Sequence, residues 1–413
     1  MRSVALDVHK DKLVLSESRD GAIVARATGR HLLDLEKVLG PDTPRARVAF
    51  EACRSAWVLH DSLQAWGHEP LILDTTRIRR IGVGQHGRKN DKIDADVMAR
   101  ALESNYIHLA HVLSPGRREI RRVLATRHGF VASRTQHVNI VRGLALSEGV
   151  EIACCDTDHF ARHASAAAWS ETTRRQLTPT LALIEQLTRA VHDATHELHE
   201  ICSREPVVAL LATAPFVGLI VAATFVSVID EAGRFRDAHH VASYLGMVPS
   251  ENSSNSLPRL GAITKAGNTW ARAALIESAA GILDRGKSDD PLVLWGRAVS
   301  ERRGKFIARV AVARRLAGIL WAMWKYDRPY DPKRLAAQSS LGLEEHARQL
   351  HAQSESMETL APEPELRDQR LSRAQRKLRG AFSARKMTQP KPRATDRRKT
   401  TAPRQRRGGH PTK

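Results

Sequence analysis

The sequence is poor in cysteine, aromatic residues and long apolar runs, and each shortage excludes a class of protein. Its four cysteines form no CxxC pair and no dense framework, so we expect a reducing cytoplasm and no disulfides. No apolar run approaches the ~18 residues that span a membrane, and Asp7 comes too early for a typical signal peptide. Aromatic residues make up only 5% of the chain against 42% hydrophobic residues, which favours a largely helical protein.

Positive charge, by contrast, is abundant and unevenly distributed. The 413 residues carry a formal net charge of +20, so the expected partner is a polyanion. Residues 367–413 contain 17 Lys or Arg and 2 Asp or Glu, which accounts for +15 of that total. We therefore expect this basic tail to attract nucleic acid without reading its sequence, and the body of the chain to carry the specific chemistry.

The N-terminal part shows the alternation and turn signals of a mixed sheet with helices packed against it. Five strands are expected, and their approximate ranges are 4–7, 12–17, 23–28, 47–51 and 71–73. Helices are expected near 31–39, 55–66 and 91–102. The resulting β-β-β-α-β-α-β-α order indicates an α/β domain.

Four carboxylates fall where this order could bring them to one edge of the sheet. Asp7 and Glu51 end the first and fourth strands, while Asp91 and Asp94 share a face at the start of the last helix. Asp96 should point away from them. A two-metal phosphodiesterase needs such oxygens around two hard cations. Ordinary solvated acids, or acids that complement a helix dipole, are the alternative.

Basic residues mark two further segments. Residues 77–89 form a basic, Gly-rich stretch without the GxxxxGK(S/T) pattern, so they fit either a loop along a phosphate backbone or an ordinary connection. Residues 115–146 predict a long helix with an apolar stripe and seven arginines, among them Arg134 and Arg142. Those arginines either face nucleic acid or form a solvated surface.

A second apolar stripe, with alternating steps of three and four, runs through residues 177–201. This coiled-coil spacing predicts a helical hairpin or a subunit contact. Two polar groups nearby have passable metal-ligand spacing, but a solvated surface explains them better: His192, His196 and His199, and Cys154, Cys155, His159 and His163.

The region after Pro206 predicts a helix, a tight turn at 215–218 and another helix, a hairpin that can offer backbone N–H groups to phosphates. A small polar loop with Ser253 and Ser254 follows, and Arg259 and Lys265 lie just beyond it. A serine hydroxyl is a poor nucleophile unless neighbouring metals or cations activate it. The alternatives are a plain helical corner and flexible turn chemistry.

Taken together, these residues resemble the insertion-sequence-110 transposases, relatives of the Piv DNA invertases. The resemblance covers about Val4 to Pro332. The segments that carry it are Asp7, Glu51, Asp91-x-x-Asp94, the 134–144 helix with Arg134 and Arg142, Gly246-Met247-Val248-Pro249, Ser253-Ser254 and Ile263-Thr264-Lys265-Ala266-Gly267-Asn268.

The resemblance implies an RNase H-like (RuvC-like) N-terminal domain that binds Mg²⁺, as a two-metal site, through the four acids. It also implies a mostly helical C-terminal transposase domain whose Ser254 attacks DNA and forms a covalent phosphoserine. The implied partners are the DNA of the element ends and target, a structured guide RNA, and further copies of the chain in a dimer or tetramer. Asn255 stands where the family commonly has Gly, which leaves Ser253 as an alternative nucleophile. The turn Pro215-Phe216-Val217-Gly218 departs from the family's Pro-Gly-Ile-Gly.

We therefore predict four regions: a catalytic domain at 1–114, a helical coiled-coil-like region at 115–205, a transposase domain at 206–335 and a basic disordered tail at 336–413. The predicted nucleic-acid contacts are Arg134, Arg142, Arg259 and Lys265. The predicted function is Mg²⁺-dependent, RNA-guided DNA recombination for a mobile element. A RuvC-like nuclease or junction resolvase using metal-activated water, and a non-catalytic nucleic-acid-binding protein, are the alternatives.

Overall fold

Six stretches of the chain are described by the computed structural model: residues 2–10, 12–30, 32–74, 91–251, 259–287 and 289–334. For residues 32, 33 and 91–93 only the backbone is described. Contacts divide the chain into two units, Met1–Pro332 and Lys333–Lys413, and every element named below belongs to the first unit. The predicted basic loop at 77–89 and the predicted tail at 336–413 lie outside the described residues.

The N-terminal part folds as a mixed sheet with the strand order β3-β2-β1-β4-β5. Strand β1 pairs antiparallel with β2 and parallel with β4, β2 pairs antiparallel with β3, and β4 pairs parallel with β5. This confirms the mixed sheet predicted from the alternation of residues. The strand bounds are β1 Arg2–Val8, β2 Leu13–Arg19, β3 Ala22–Gly29, β4 Ala46–Glu51 and β5 Glu69–Leu73.

Successive side chains of a strand point to opposite faces of the sheet, and each face packs against different helices. Val4, Leu6, Val48 and Phe50 are fully buried in one cluster with residues of α1 (Leu32–Leu39) and α2 (Ala56–Ala65). On the opposite face, Ala5 and Ala49 pack with Met98, Ala99 and Leu102 of α3 (Asp91–Glu103). Alanine side chains at both strand positions leave room for α3 to approach the backbone of the sheet closely.

A helical hairpin follows the sheet domain. Helix α4 spans Pro115–Glu148 and ends at Gly149, which has a left-handed φ of 66°. After the short α5 (Phe160–Ser165), helix α6 spans Glu171–Cys202 and returns along α4. Their buried contacts include Val138, Val141, Leu177 and Ile184. The hairpin predicted from the heptad-like spacing is therefore confirmed.

The remaining described part is mostly helical, as the sequence predicts. Helix α8 (Leu219–Ile229) is almost entirely apolar and its residues 222–229 are buried, because α4, α7 (Pro206–Leu211) and α10 (Thr269–Arg285) pack around it. No described helix is long and apolar enough to span a bilayer. The bounds are α7 Pro206–Leu211, α8 Leu219–Ile229, α9 Ala238–Tyr244, β6 Pro249–Glu251, β7 Leu260–Ile263, α10 Thr269–Arg285, α11 Pro291–Arg303 and α12 Lys305–Lys325.

A buried carboxylate joins the start of α4 to the end of α8. Asp230 is 3% exposed, and its side chain accepts hydrogen bonds from Ser114 N (3.2 Å) and Ser114 Oγ (2.7 Å) and contacts His111 Nε2 (2.5 Å). Burial raises the pKa of Asp230, but the bonds from Ser114 and His111 outweigh it and hold the pKa below its ordinary value. The ionised form of Asp230 therefore stabilises this junction.

The arginines of α4 mostly bind other parts of the same chain. Arg134, predicted to face nucleic acid, is only 8% exposed and lies between α4 and α6. Its Nη1 lies 2.6 Å from Asp158 Oδ1 and 3.3 Å from Thr188 Oγ1. This burial does not favour a contact between Arg134 and nucleic acid, and that role stays a prediction.

Three other arginines of α4 also form ion pairs or hydrogen bonds with side chains elsewhere in the chain, but Arg142 is not among them. Arg142 is exposed, with its guanidinium 5.2 Å from the ring centre of Phe160. Arg142 thus remains accessible to a ligand. The engaged pairs along α4 are Arg117 with Glu205 at 2.6 Å, Arg118 with Asp61 at 2.6 Å and Arg127 with Thr195 at 2.8 Å.

We predict that Arg134→Ala lowers the free energy of unfolding by about 2 kcal/mol, because it removes charge-assisted hydrogen bonds and side-chain packing from the hairpin. Arg142→Ala is the matched control and should change that free energy by less than about 0.5 kcal/mol, since its side chain is exposed. Urea unfolding followed by circular dichroism measures both. Equal stability of the two variants would contradict the buried role of Arg134.

Candidate active site

Two of the predicted acids lie side by side at one edge of the sheet. Asp7 is near the end of β1 and Glu51 is the last residue of β4, and the parallel register that pairs Leu6 with Phe50 places them at the same level. Each comes two residues after an alanine that faces α3, so both acids belong to the face that α3 covers. Both are partly buried, and His9 Nε2 lies 3.2 Å from Asp7 Oδ2.

Helix α3 brings a third acid to this face. Asp94 stands four positions before Met98, which packs on the sheet, so the two share a face of the helix. Its Oδ1 is buried and has no hydrogen-bond partner in the described part of the chain. A buried carboxylate oxygen without a partner is costly, and a bound cation would supply the missing interaction.

Two other acids of α3 fix the helix on the sheet. Asp96 accepts hydrogen bonds from Ser16 Oγ (2.7 Å) and Arg26 Nη2 (2.7 Å), so its side chain is directed at β2 and β3. Seven residues on, Glu103 accepts from Ser18 Oγ and from the backbone N–H of Gly21 (3.1 Å). Both sets of partners lie in β2, β3 or their turn, so the two acids hold α3 to that hairpin.

The hydrogen bonds to Asp96 also keep its carboxylate negatively charged. Burial raises the pKa of its carboxyl, but the hydrogen bonds from Arg26 and Ser16 outweigh burial and hold the pKa below its ordinary value. The sequence shows the spacing of Asp96 and Glu103 on one helix face, but it does not identify their partners. These two positioning residues were therefore not predicted.

The donor set at the sheet edge suits a hard divalent cation, because it consists of carboxylates. Asp91 is the first residue of α3 and stands three positions before Asp94, and its side chain lies outside the described residues. Within the described residues, no group of three or more His, Cys, Asp or Glu side chains is placed to hold a metal. The carboxylate chemistry and the unpartnered oxygen of Asp94 fit a metal, and Asp91 would have to complete the set.

The predicted serine loop connects two short strands. Strands β6 and β7 pair antiparallel, with Glu251 opposite Leu260, so residues 252–258 link the two arms of a hairpin. Ser253, Ser254 and Asn255 lie outside the described residues. The hairpin itself was not predicted from the polar composition of this segment.

The base of this hairpin is formed by two backbone segments that cross at close range. Gly246 has a φ of +68°, and a Cβ there would lie 2.4 Å from the carbonyl oxygen of Ala266. Gly267 has a φ of +140°, and a Cβ there would lie 2.3 Å from the carbonyl oxygen of Tyr244. Only glycine satisfies both the backbone angle and the contact at these positions.

Hydrogen bonds reinforce the crossing. The N–H of Lys265 donates to Gly246 O (3.0 Å), and the buried Arg272 donates from Nη1 to Leu245 O (3.1 Å). Asn268 caps α10 by accepting from the N–H of Ala271 (3.0 Å). The Gly-Met-Val-Pro and Thr-Lys-Ala-Gly-Asn segments thus form one rigid support for the serine hairpin.

Two predicted nucleic-acid contacts flank this support. Lys265 is exposed and takes up a left-handed φ of 55°, which presents its side chain next to the crossing. Arg259 is exposed immediately before β7. Both positions are accessible to a ligand at the base of the hairpin.

The turn at 215–218 contains a bulky residue in a backbone conformation that glycine favours. Phe216 has a φ of +58°, and its ring packs on α10 so closely that a Cβ on Gly281 would lie 2.5 Å from Phe216 Cδ1. The guanidinium of Arg285 lies 5.3 Å from the ring centre. The side chain of Phe216 therefore anchors the turn on α10.

We predict that Gly267→Ala lowers the free energy of unfolding by at least about 2 kcal/mol, because a side chain there meets backbone atoms at an unfavourable φ. Gly143→Ala in α4 is the matched control. A Cβ at Gly143 meets nothing within 4 Å, so alanine should stabilise that helix by up to about 1 kcal/mol. Chemical unfolding measures both, and a neutral Gly267→Ala would contradict the close crossing.

Two models of transposase domains match this chain. A DEDD transposase model of the IS110 type matches residues 4–149, which include the acidic sheet edge. A model described as "Transposase IS116/IS110/IS902 family" matches residues 208–289, which include the serine hairpin and its support. The DEDD domain also suggests dependence on a divalent metal.

Relatives that match about 70% of this chain are transposases as well. The chain is 26% identical over 292 residues to the transposase for insertion sequence element IS1111A of Coxiella burnetii, covering 68% of this chain and 79% of that protein. It is 27% identical over 301 residues to a probable family 20 transposase of Pseudomonas aeruginosa, covering 70% and 87%. A putative transposase of Sinorhizobium fredii, y4pF/y4sB, is 24% identical over 314 residues, covering 72% and 78%. The chain therefore belongs to the IS110 family of insertion-sequence transposases, which are enzymes that act on DNA.

Proposed function

We propose that this transposase cuts and rejoins DNA with a serine nucleophile, beside a Mg²⁺ site formed by Asp7, Glu51, Asp91 and Asp94. The observation that carries the proposal is the buried Oδ1 of Asp94, which has no hydrogen-bond partner among the described residues and belongs to the helix that covers the face of Asp7 and Glu51. The strand order β3-β2-β1-β4-β5 supports an RNase H-like fold for this domain.

The four acids would hold the metal, and each comes from an element whose position the sheet determines. Bound Mg²⁺ would stabilise the negative charge that develops on the phosphate during strand cleavage. Asp96 and Glu103 would not bind the metal themselves. They position α3 through hydrogen bonds to the β2–β3 hairpin.

Ser254 is the proposed nucleophile, and Ser253 is the alternative because Asn255 follows Ser254. The serine Oγ would form a bond to phosphorus while the bond from phosphorus to the leaving deoxyribose oxygen breaks. The serine proton is lost, and the leaving oxygen takes up a proton to become a hydroxyl. The rigid crossing of Gly246 and Gly267 supports this role, because a nucleophile on a loop needs a fixed base.

The nucleic-acid partners follow from charge and accessibility. Arg142, Arg259 and Lys265 are exposed and are proposed to contact nucleic acid phosphates. A guide RNA encoded by the element, and a dimer or tetramer of the chain, complete the proposal. The net charge of +20 supports binding of a polyanion such as DNA or RNA.

We predict that Ser254→Ala abolishes the covalent adduct between protein and DNA, since no Oγ remains to attack phosphorus. Denaturing gels of the protein incubated with labelled element-end DNA, guide RNA and Mg²⁺ detect the adduct. Ser253→Ala is the matched control and should retain it. If Ser254→Ala cuts DNA to free ends at the wild-type rate, the enzyme is a nuclease and the serine proposal is wrong.

We predict that Mg²⁺ raises the melting temperature of the wild type and that Asp94→Asn removes this shift. Saturating metal at about 100 times its dissociation constant stabilises the folded state by about 2.7 kcal/mol. Asp96→Asn is the matched control on the same helix. It should melt earlier than the wild type, because it weakens the bonds to Arg26 and Ser16, and should still respond to Mg²⁺. Equal responses of the two variants would exclude Asp94 as a ligand.

A further inference from the structure

The corner between α11 and α12 is unusually accessible for a helix junction. Residues 301–307 are seven consecutive exposed residues, and the chain on either side returns to the core at Val299 and Ala308. Gly304, with a φ of +87°, makes the turn, and a Cβ there would meet nothing within 4 Å. The corner therefore projects into solvent.

An aromatic side chain stands at the tip of this corner. Phe306 is 80% exposed, and its neighbour Ile307 is 55% exposed. The guanidinium of Arg309 lies 5.9 Å from the centre of the Phe306 ring, so a cation is already near the ring. Phe306 does not contribute to the core, and its exposure costs hydration free energy with no structural return.

Cationic side chains outnumber acids at this corner. Arg302, Arg303 and Lys305 are all exposed, while the acids at the corner are Glu301 and Asp284. Asp284 is engaged by Lys305 Nζ (2.8 Å) and by Arg309 Nη2 (3.3 Å). The surface of the corner is therefore positive overall.

The local contacts leave the terminal nitrogens of two guanidinium groups available. Arg302 donates from Nε to the carbonyl oxygen of Ala298 (3.2 Å), whereas Arg303 makes no ion pair with any described residue. An apolar protein partner would not require the three exposed cationic side chains at this corner. A nucleic acid uses both features, because bases stack on aromatic rings and phosphates bind arginine.

We propose that the α11–α12 corner, residues 301–307, binds single-stranded nucleic acid. An unpaired base would stack on Phe306, and the flanking phosphates would contact Arg302 and Arg303. An exposed ring can stack on a base that is not already stacked in a duplex, which favours single strands over double helices. The proposal uses none of the metal-site residues and does not depend on the serine, so it can fail while the proposed function holds.

The test is binding of fluorescent single-stranded DNA, single-stranded RNA and duplex DNA to the full-length protein across a range of salt concentrations. Phe306→Ala should weaken single-strand binding by roughly tenfold and leave duplex binding unchanged. The loss should persist at high salt, where attraction by the basic tail is screened, because stacking is not a charge effect. Phe306→Trp should retain the affinity of the wild type.

Two further variants separate the parts of the site. Leu294→Ala in α11 is the control, because Leu294 is also an exposed apolar side chain, at 53%. It should not change binding. Arg302→Gln combined with Arg303→Gln should reduce the salt dependence of single-strand binding by about 1.4 in logarithmic slope, corresponding to two phosphates.

Three results would overturn the proposal. One is equal single-strand affinity of the wild type and Phe306→Ala at every salt concentration. Another is a Phe306→Ala variant that binds nucleic acid normally but changes its oligomeric state in sedimentation, which would make the corner a protein contact. The third is equal weakening by Phe306→Ala and Leu294→Ala. Because Phe306 is exposed, its substitution should leave the melting temperature unchanged, and a comparison of the DNA and RNA arms identifies the strand that the corner prefers.

Discussion

The packing of α3 onto the sheet across Ala5 and Ala49 determines whether an acidic centre can form in this fold. Two methyl side chains allow the helix to lie close to the strands, and the strands then continue by two residues to Asp7 and Glu51 on the same face. The packing that buries the alanines therefore also brings the acids under the start of α3. A larger residue at either alanine would move the helix away from both carboxylates at once.

The acids of α3 divide into two groups with opposite energetic effects. Asp96 and Glu103 accept hydrogen bonds from β2, β3 and their turn, so they stabilise the position of the helix. Asp94 has a buried oxygen with no partner among the described residues, so it destabilises the same helix until something binds it. The 13-residue helix α3 thus contains one carboxylate that destabilises the fold and two carboxylates whose hydrogen bonds stabilise it. This arrangement is expected where function requires a local conflict with stability.

What the sequence alone could predict depended on whether the cause was local. The strand ends and the helix face on which the spacing puts Asp91 and Asp94 follow from residue periodicity, which is a short-range property. Whether each arginine of α4 binds another residue of the chain or faces solvent could not be predicted in this way. Arg134 and Arg118 bind Asp158 and Asp61, which lie 24 and 57 residues away, and no local pattern distinguishes an engaged arginine from a solvated one. The crossing of Gly246 and Gly267 is also non-local, although the glycines themselves were noted.

A non-local contact also explains how Phe216 can occupy a turn position where the family commonly has glycine. Phe216 lies in the left-handed backbone region, which costs about 1–2 kcal/mol for a residue with a side chain. Burying part of an aromatic ring against Gly281 and Arg285 contributes a comparable amount in the opposite direction. The turn can therefore keep its shape without glycine because a glycine stands on the helix opposite. Phe216 therefore fixes the turn by packing its ring on α10, which a glycine at this position could not do. A test of whether the turn contacts phosphate should vary residues 216 and 281 together.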